Sequence, residues 1–143
     1  MINALLRLTP LLLVAACSPQ PPAIEVRDAW ARATAPGQAS GAVYATIVNK
    51  GGADRLTGAA SERARTAMIH SNQAEDGVVK MRMLGELAIP AGTTVALAPG
   101  ATHIMLGGLT TPLVAGERIA LTLRFARAGS INGSAIVTAP GAR

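Results

Sequence analysis

Hydrophobic positions along this chain recur mostly at every second residue, in short runs. The clearest run is "ERIALTLRF" (117–125), where Ile119, Leu121, Leu123 and Phe125 alternate with Arg118, Ala120, Thr122 and Arg124. A period of two puts the first set on one face of a β-strand and the second on the other. The runs "IEVRDAWAR" (24–32), "SGAVYATIVN" (40–49), "TAMIH" (66–70), "VVKMRML" (78–84), "TTVALA" (93–98), "THIML" (102–106) and "SAIV" (134–137) have the same character. They are short, rich in β-branched residues and bounded by turn signals. Those signals are Pro36-Gly37, Gly51-Gly52, Asp76-Gly77, Ala91-Gly92, Pro99-Gly100 and Gly107-Gly108. No stretch of helical period and useful length follows residue 24, and no internal repeat is visible. Many short strands joined by Gly and Pro turns predict a single all-β domain over residues 24–143, a sandwich or barrel.

The N-terminal segment has a different logic. Arg7 is the only charge in "MINALLRLTPLLLVAAC", and an apolar run this short predicts an export signal rather than a membrane span. The ending Val14-Ala15-Ala16-Cys17 resembles a bacterial lipobox, which implies a signal peptide over residues 1–16 and lipid on Cys17. Cys17 is the only cysteine, so no internal disulfide forms. Several acyl chains would hold the protein stably to a bilayer. Ser18 after the cysteine resembles the sorting signal of outer-membrane lipoproteins in diderm cells. "SPQPPA" (18–23) reads as an extended, proline-rich tether that does not pack, so residues 17–23 link anchor to domain.

Composition narrows the function classes. Only Trp30, Tyr44 and Phe125 are aromatic, so Val, Ile, Leu and Ala must build the core. Without residues 1–16 the chain has twelve basic and eight acidic residues, net +4, and these are scattered without like-charge blocks. Such a surface is a solvated one, and nucleic-acid binding is poorly supported.

Candidate chemistry lies between His70 and Met105. The protein has two histidines and five methionines, and each histidine has a methionine associated with it. Ten residues separate His70 from Met81, and Ile104 alone separates His103 from Met105. On a strand, His103 and Met105 leave the same face while Ile104 and Leu106 leave the other. Imidazole suits copper and zinc, and thioether sulfur selects Cu(I). A lone histidine is more often a hydrogen-bonded structural residue, and Met81 by itself reads as core filler. The His103/Met105 pair shifts the balance toward metal. Met68 and Met83 each lie two residues from a proposed ligand, on the same strand face, and are its local rivals.

The spacing H-x10-M-x21-H-x-M resembles that of the PCuAC-type periplasmic copper chaperones. The resemblance extends over "DAWARATAPGQASGAVYATIVNKG" (28–51), "EDGVVKMRM" (75–83), "IPAGTTVALAPGATHIMLGGLTTPLVAGE" (89–117) and "IALTLRFARAG" (119–129). It implies a cupredoxin-like β-sandwich of Greek-key type and one Cu(I) held by His70, Met81, His103 and Met105. Met68 and Met83 do not occupy the family's ligand positions, and only this resemblance implies that they serve packing or support of the site. Relatives often carry further methionines after the first histidine, and some have a Met/His-rich C-terminal tail. This chain has "SNQAEDGVV" after His70 and ends at Arg143, so no second, tail-borne copper site is expected.

An exported Cu(I) carrier fits this chemistry. Thioethers do not titrate, and they avoid the disulfide formation that threatens paired thiols in an oxidising compartment. By resemblance the recipient is the dinuclear copper site of cytochrome c oxidase subunit II, served alongside Sco-type thiol proteins, and the carrier is monomeric. No catalytic arrangement is apparent, so the protein is not expected to be an enzyme. An electron-transfer cupredoxin is excluded, because blue copper requires a cysteine thiolate within the site. The competing reading is a metal-free structural or adhesion lipoprotein.

Overall fold

The computed structural model describes residues 19–143; the proposed signal peptide and Cys17 lie outside them. Ten strands form: β1 (Ile24–Arg32), β2 (Ser40–Asn49), β3 (Asp54–Ala60), β4 (Ala64–Glu75), β5 (Val78–Leu84), β6 (Leu87–Ile89), β7 (Thr94–Leu97), β8 (His103–Leu109), β9 (Arg118–Phe125) and β10 (Gly129–Thr138). They hydrogen-bond in the order β5-β4-β8-β2-β1-β10-β9-β3-β6, with β7 also on β2. The β1/β10 pair is parallel. β2 serves two partners on one side, β8 along Ser40–Val43 and β7 along Ala45–Val48. The path folds over itself, bringing β3 against β4, into an all-β sandwich.

The core lies between the layers. Ile119, Leu121, Leu123 and Phe125 are all buried, as the alternation in β9 predicts, while Arg118, Ala120 and Arg124 are exposed. Ile47, Leu56, Ile89, Ile104 and Leu106 are fully buried with them. Each such side chain contributes about 1.5–3 kcal/mol.

A bulge in β1 sets up the face that matters most below. Arg27 pairs with Thr46 but Trp30 with Tyr44, so β1 has one residue more than β2 across this interval. Asp28 takes up the irregularity at φ 51, a conformation aspartate tolerates better than most residues. The inward phase changes there: Ile24 and Val26 pack on the core before the bulge, Ala29, Ala31 and Ala33 after it. Trp30 is thereby turned to the other face, against Tyr44.

Three expectations are corrected. Gly107-Gly108 is not a turn but lies inside β8. Gly107 sits under the Thr66 hydroxyl, where a Cβ would collide, so the glycine serves close strand packing. Two strands, β3 and β6, escape the sequence pattern. The first, "DRLTGAA", has low β-propensity and is held by its neighbours β9 and β6.

The third correction concerns the tether. Residues 20–23 do pack. The Gly52 N–H donates to the Pro21 carbonyl (2.9 Å) and the Lys50 N–H to that of Ala23 (2.9 Å). Arg127 Nη2 donates to the Gln20 carbonyl at 3.0 Å, and the Ala23 N–H donates to Asn49 Oδ1 at 3.3 Å. Proline lacks a donor but keeps its carbonyl, and Gly51 and Gly52 let that backbone approach: a Cβ on either would collide with it. Gly52→Ala should therefore undock the segment, seen as faster amide exchange at Ala23 and at position 52. Unchanged protection would contradict the close approach.

Candidate metal centre

The pairing of β4 with β5 on one side and β8 on the other builds the site. His70 in β4 pairs with His103 in β8 and with Met83 in β5. Met68 pairs with Met105, and Asn72 with Met81. Paired residues in an antiparallel sheet share a face, as do residues two apart on a strand. Both histidines and all four methionines of the described residues thus lie on one face of β5-β4-β8. Ile104 and Leu106 leave the opposite face and are fully buried.

Within that face the groups separate. Met81, His103 and Met105 line one cleft, together with Asn72, Tyr44 and Gly100. His70 stands beside it, its ring centroid 6.0 Å from that of His103. Met68 lines a separate groove with Arg65 and Arg124. Met83 is 66% exposed and Met81 52%, so neither is core filler. His103, by contrast, is only 5% exposed and lies at the floor of the site.

Each imidazole presents a nitrogen suited to a metal. Nδ1 of His103 is 3.1 Å from the Ala101 carbonyl, which can only accept, so Nδ1 carries the proton and the Nε2 lone pair is free. Nδ1 of His70 is buried and has no hydrogen-bond partner. Such a buried, unpartnered group is costly unless something else satisfies it, and a metal ion would. Burial, reinforced by the neighbouring His103, lowers the His70 pKa from its ordinary value. Both effects favour the neutral ring, the form that binds metal.

The donors define the ion class. Among the described residues no three of His, Cys, Asp and Glu gather at one place, so a hard-ligand site of the calcium or magnesium kind is not built. What gathers is imidazole and thioether, the set that suits monovalent copper. Tyr44, 6.1 Å from the His103 ring and 4.5 Å from that of Trp30, walls the cleft on the β2 side. Sequence reasoning missed Tyr44 and Asn72. The signal for Tyr44 was its place on the non-core face of β2, with Ala42 and Thr46.

On the opposite side of the β4-β5 hairpin, Glu75 pairs with Lys80 (3.0 Å) and with Arg82. Asp76 and Gly77, at φ 51 and 77, make the tight turn that the sequence signals.

Comparison with known proteins agrees with this architecture. The family model "LpqE-like: Putative lipoprotein LpqE-like" matches residues 24–137. "Putative lipoprotein Lxx21020" of Leifsonia xyli subsp. xyli is 38% identical over 104 residues, 71% of this chain. The match spans about 61% of that curated relative's length. Among solved structures, the copper-bound PCuAC domain from PmoF2 is similar at TM-score 0.69 and 27% identity, over 82% of this chain and 93% of the domain. The solution structure of CuI-DR1885 from Deinococcus radiodurans is similar at TM-score 0.66 and 31% identity, over 87% of this chain and 81% of that one. With a family model spanning the sandwich and PCuAC domains sharing its fold, the chain belongs to the LpqE-like lipoprotein family and is of PCuAC type.

Proposed function

We propose that this protein is a copper chaperone of the cell envelope that binds one Cu(I) through His70, Met81, His103 and Met105 and delivers it to a cuproenzyme. The observation that carries the reading is the unpartnered, buried Nδ1 of His70 beside His103, on the face that also bears the thioethers. The copper-bound state of the PmoF2 domain and of DR1885 supports it. Copper is cargo in this reading, and thioether ligands exchange one at a time with a recipient's ligands. The proposed recipient is the dinuclear copper site of cytochrome c oxidase subunit II, or a Sco-type protein that serves it. Cu(I) competition titration followed by transfer to these acceptors tests the function. A protein that takes up no Cu(I) would instead be a metal-free structural or adhesion lipoprotein.

The chaperone is held to the membrane, in the same reading, by lipid on Cys17 after removal of residues 1–16. The lipoprotein family match supports the anchor, and Ser18 favours the outer membrane with the domain in the periplasm. Cys17→Ser should move the protein from the membrane fraction to the soluble one with its circular dichroism unchanged, because Cys17 precedes the sandwich. Retention in the membrane, or a mature N-terminus other than Cys17, would overturn the lipid anchor.

A further inference from the structure

Met83 stands directly opposite His70 in the β4/β5 register, whereas Met81 stands opposite Asn72. Directly opposed side chains of an antiparallel pair have Cβ atoms about 4.5–5.5 Å apart, and diagonal ones lie about 7–8 Å apart. His70 is therefore flanked on β5 by two thioethers, and the one nearer in register is not the one that family spacing selects. Their surroundings differ. Met81 lines the cleft with His103 and Met105, and Met83 does not. Met83 is also the more exposed, at 66%, on the strand that ends this side of the sheet.

We propose that Met83 is an exchange ligand, a sulfur that takes Cu(I) from Met81 while His70 stays bound and offers it to an acceptor at the open edge of β5. The proposal rests on the copper-carrier reading above. In the exchange the Cu–S bond to Met81 breaks as the Cu–S bond to Met83 forms, and the bonds to His103 and Met105 break in turn as the acceptor's ligands replace them. Copper remains Cu(I), and no proton or electron moves, because a thioether is neutral both free and bound. Residues two apart on a strand are separated by about 6.8 Å. The three rotatable bonds of each methionine span that distance from both ends. A relay of this kind moves the ion from a cleft walled by Tyr44 and Gly100 to the exposed edge. An acceptor ligand then attacks there without first unfolding the site.

The test separates equilibrium from rate. The full chain, loaded with one Cu(I), is mixed with excess bathocuproine disulfonate and release is followed by absorbance. Met83→Leu removes the sulfur and little else, and this exposed position does not bear on the core. It should hold Cu(I) within about threefold of wild-type affinity yet release it roughly tenfold more slowly. Met83→His, which returns a Cu(I) donor to the position, should restore the rate, as a packing residue would not. Release by Met83→Leu at the wild-type rate overturns the relay. So does an affinity loss as large as that of Met81→Leu, since Met83 would then be a resident ligand. Wild-type protein that takes up no Cu(I) overturns the carrier reading and the relay with it, a result distinct from the other two.

Discussion

His103→Ala should weaken Cu(I) binding by at least about a hundredfold, beyond the upper end of what loss of a supporting residue costs a metal site. The contact of Nδ1 with the Ala101 carbonyl already fixes the ring and leaves Nε2 as the nitrogen for a metal. Cu(II), where it binds, should weaken in parallel, since imidazole serves both oxidation states. Met105→Leu and Met81→Leu should act differently, lowering Cu(I) affinity and sparing Cu(II), because thioether is a poor partner for the harder cupric ion. A Met-to-Leu exchange nearly conserves volume and usually costs less than about 1.5 kcal/mol of stability. Losses beyond that are therefore losses of ligation. Met68→Leu is the control: Met68 pairs with Met105 but lines the groove of Arg65 and Arg124. Parallel Cu(I) and Cu(II) competition titrations decide the matter. Unchanged binding in His103→Ala, or equal losses for Met68→Leu and Met105→Leu, would dismantle the site as drawn.

The largest expected effect on stability lies at the other end of the sandwich. Asp54 is 5% exposed, and its Oδ1 accepts from the Arg55 (2.8 Å) and Arg127 (2.9 Å) backbone N–H groups. Its Oδ2 accepts from the Ala128 N–H at 2.8 Å. The carboxylate thus ties the start of β3 to the β9/β10 turn. Arg127 in turn binds the Ala53 and Gln20 carbonyls, which links this knot to the docked N-terminal segment. Asp54→Ala strands three donors, and charge-assisted bonds of this kind make a loss of about 3–5 kcal/mol reasonable.

The pH dependence has a definite sign. Burial by itself would raise the Asp54 pKa, but the three N–H bonds and the Arg127 charge outweigh it, and the folded value is lowered. A depressed carboxylate pKa means that its stabilisation is complete above the unfolded value, about 3.9. It disappears as pH falls through the folded value. Wild type should lose its advantage over Asp54→Asn across that acidic window, measured by urea denaturation from pH 7 downward. An advantage that persists to the lowest pH would remove Asp54 from the acid response.

Much of this molecule is legible in the sequence because β-structure writes a local code. A period of two assigns Ile119, Leu121, Leu123 and Phe125 to the core, separates Ile104 and Leu106 from His103 and Met105, and needs no knowledge of neighbouring strands. Asp76-Gly77 likewise fixes a hairpin, because the conformation it needs belongs to the two residues themselves. Register is another matter. Which side chain on β5 faces His70 depends on how two strands slide against each other, and a shift of two residues preserves every inward and outward assignment while exchanging Met81 for Met83. Only the paired sheet decides that Met83 is the direct neighbour and Met81 the one in the cleft. Long-range packing also decides the rest: His103 is buried because Tyr44 and the β2 face cover it, and Trp30 joins that face because a bulge at Asp28 changes the phase of β1. Residues 20–23, which read as free tether by composition, are docked because distant glycines and Arg127 meet their carbonyls. Local alternation tells which way a side chain points, and tertiary pairing alone tells what it meets there.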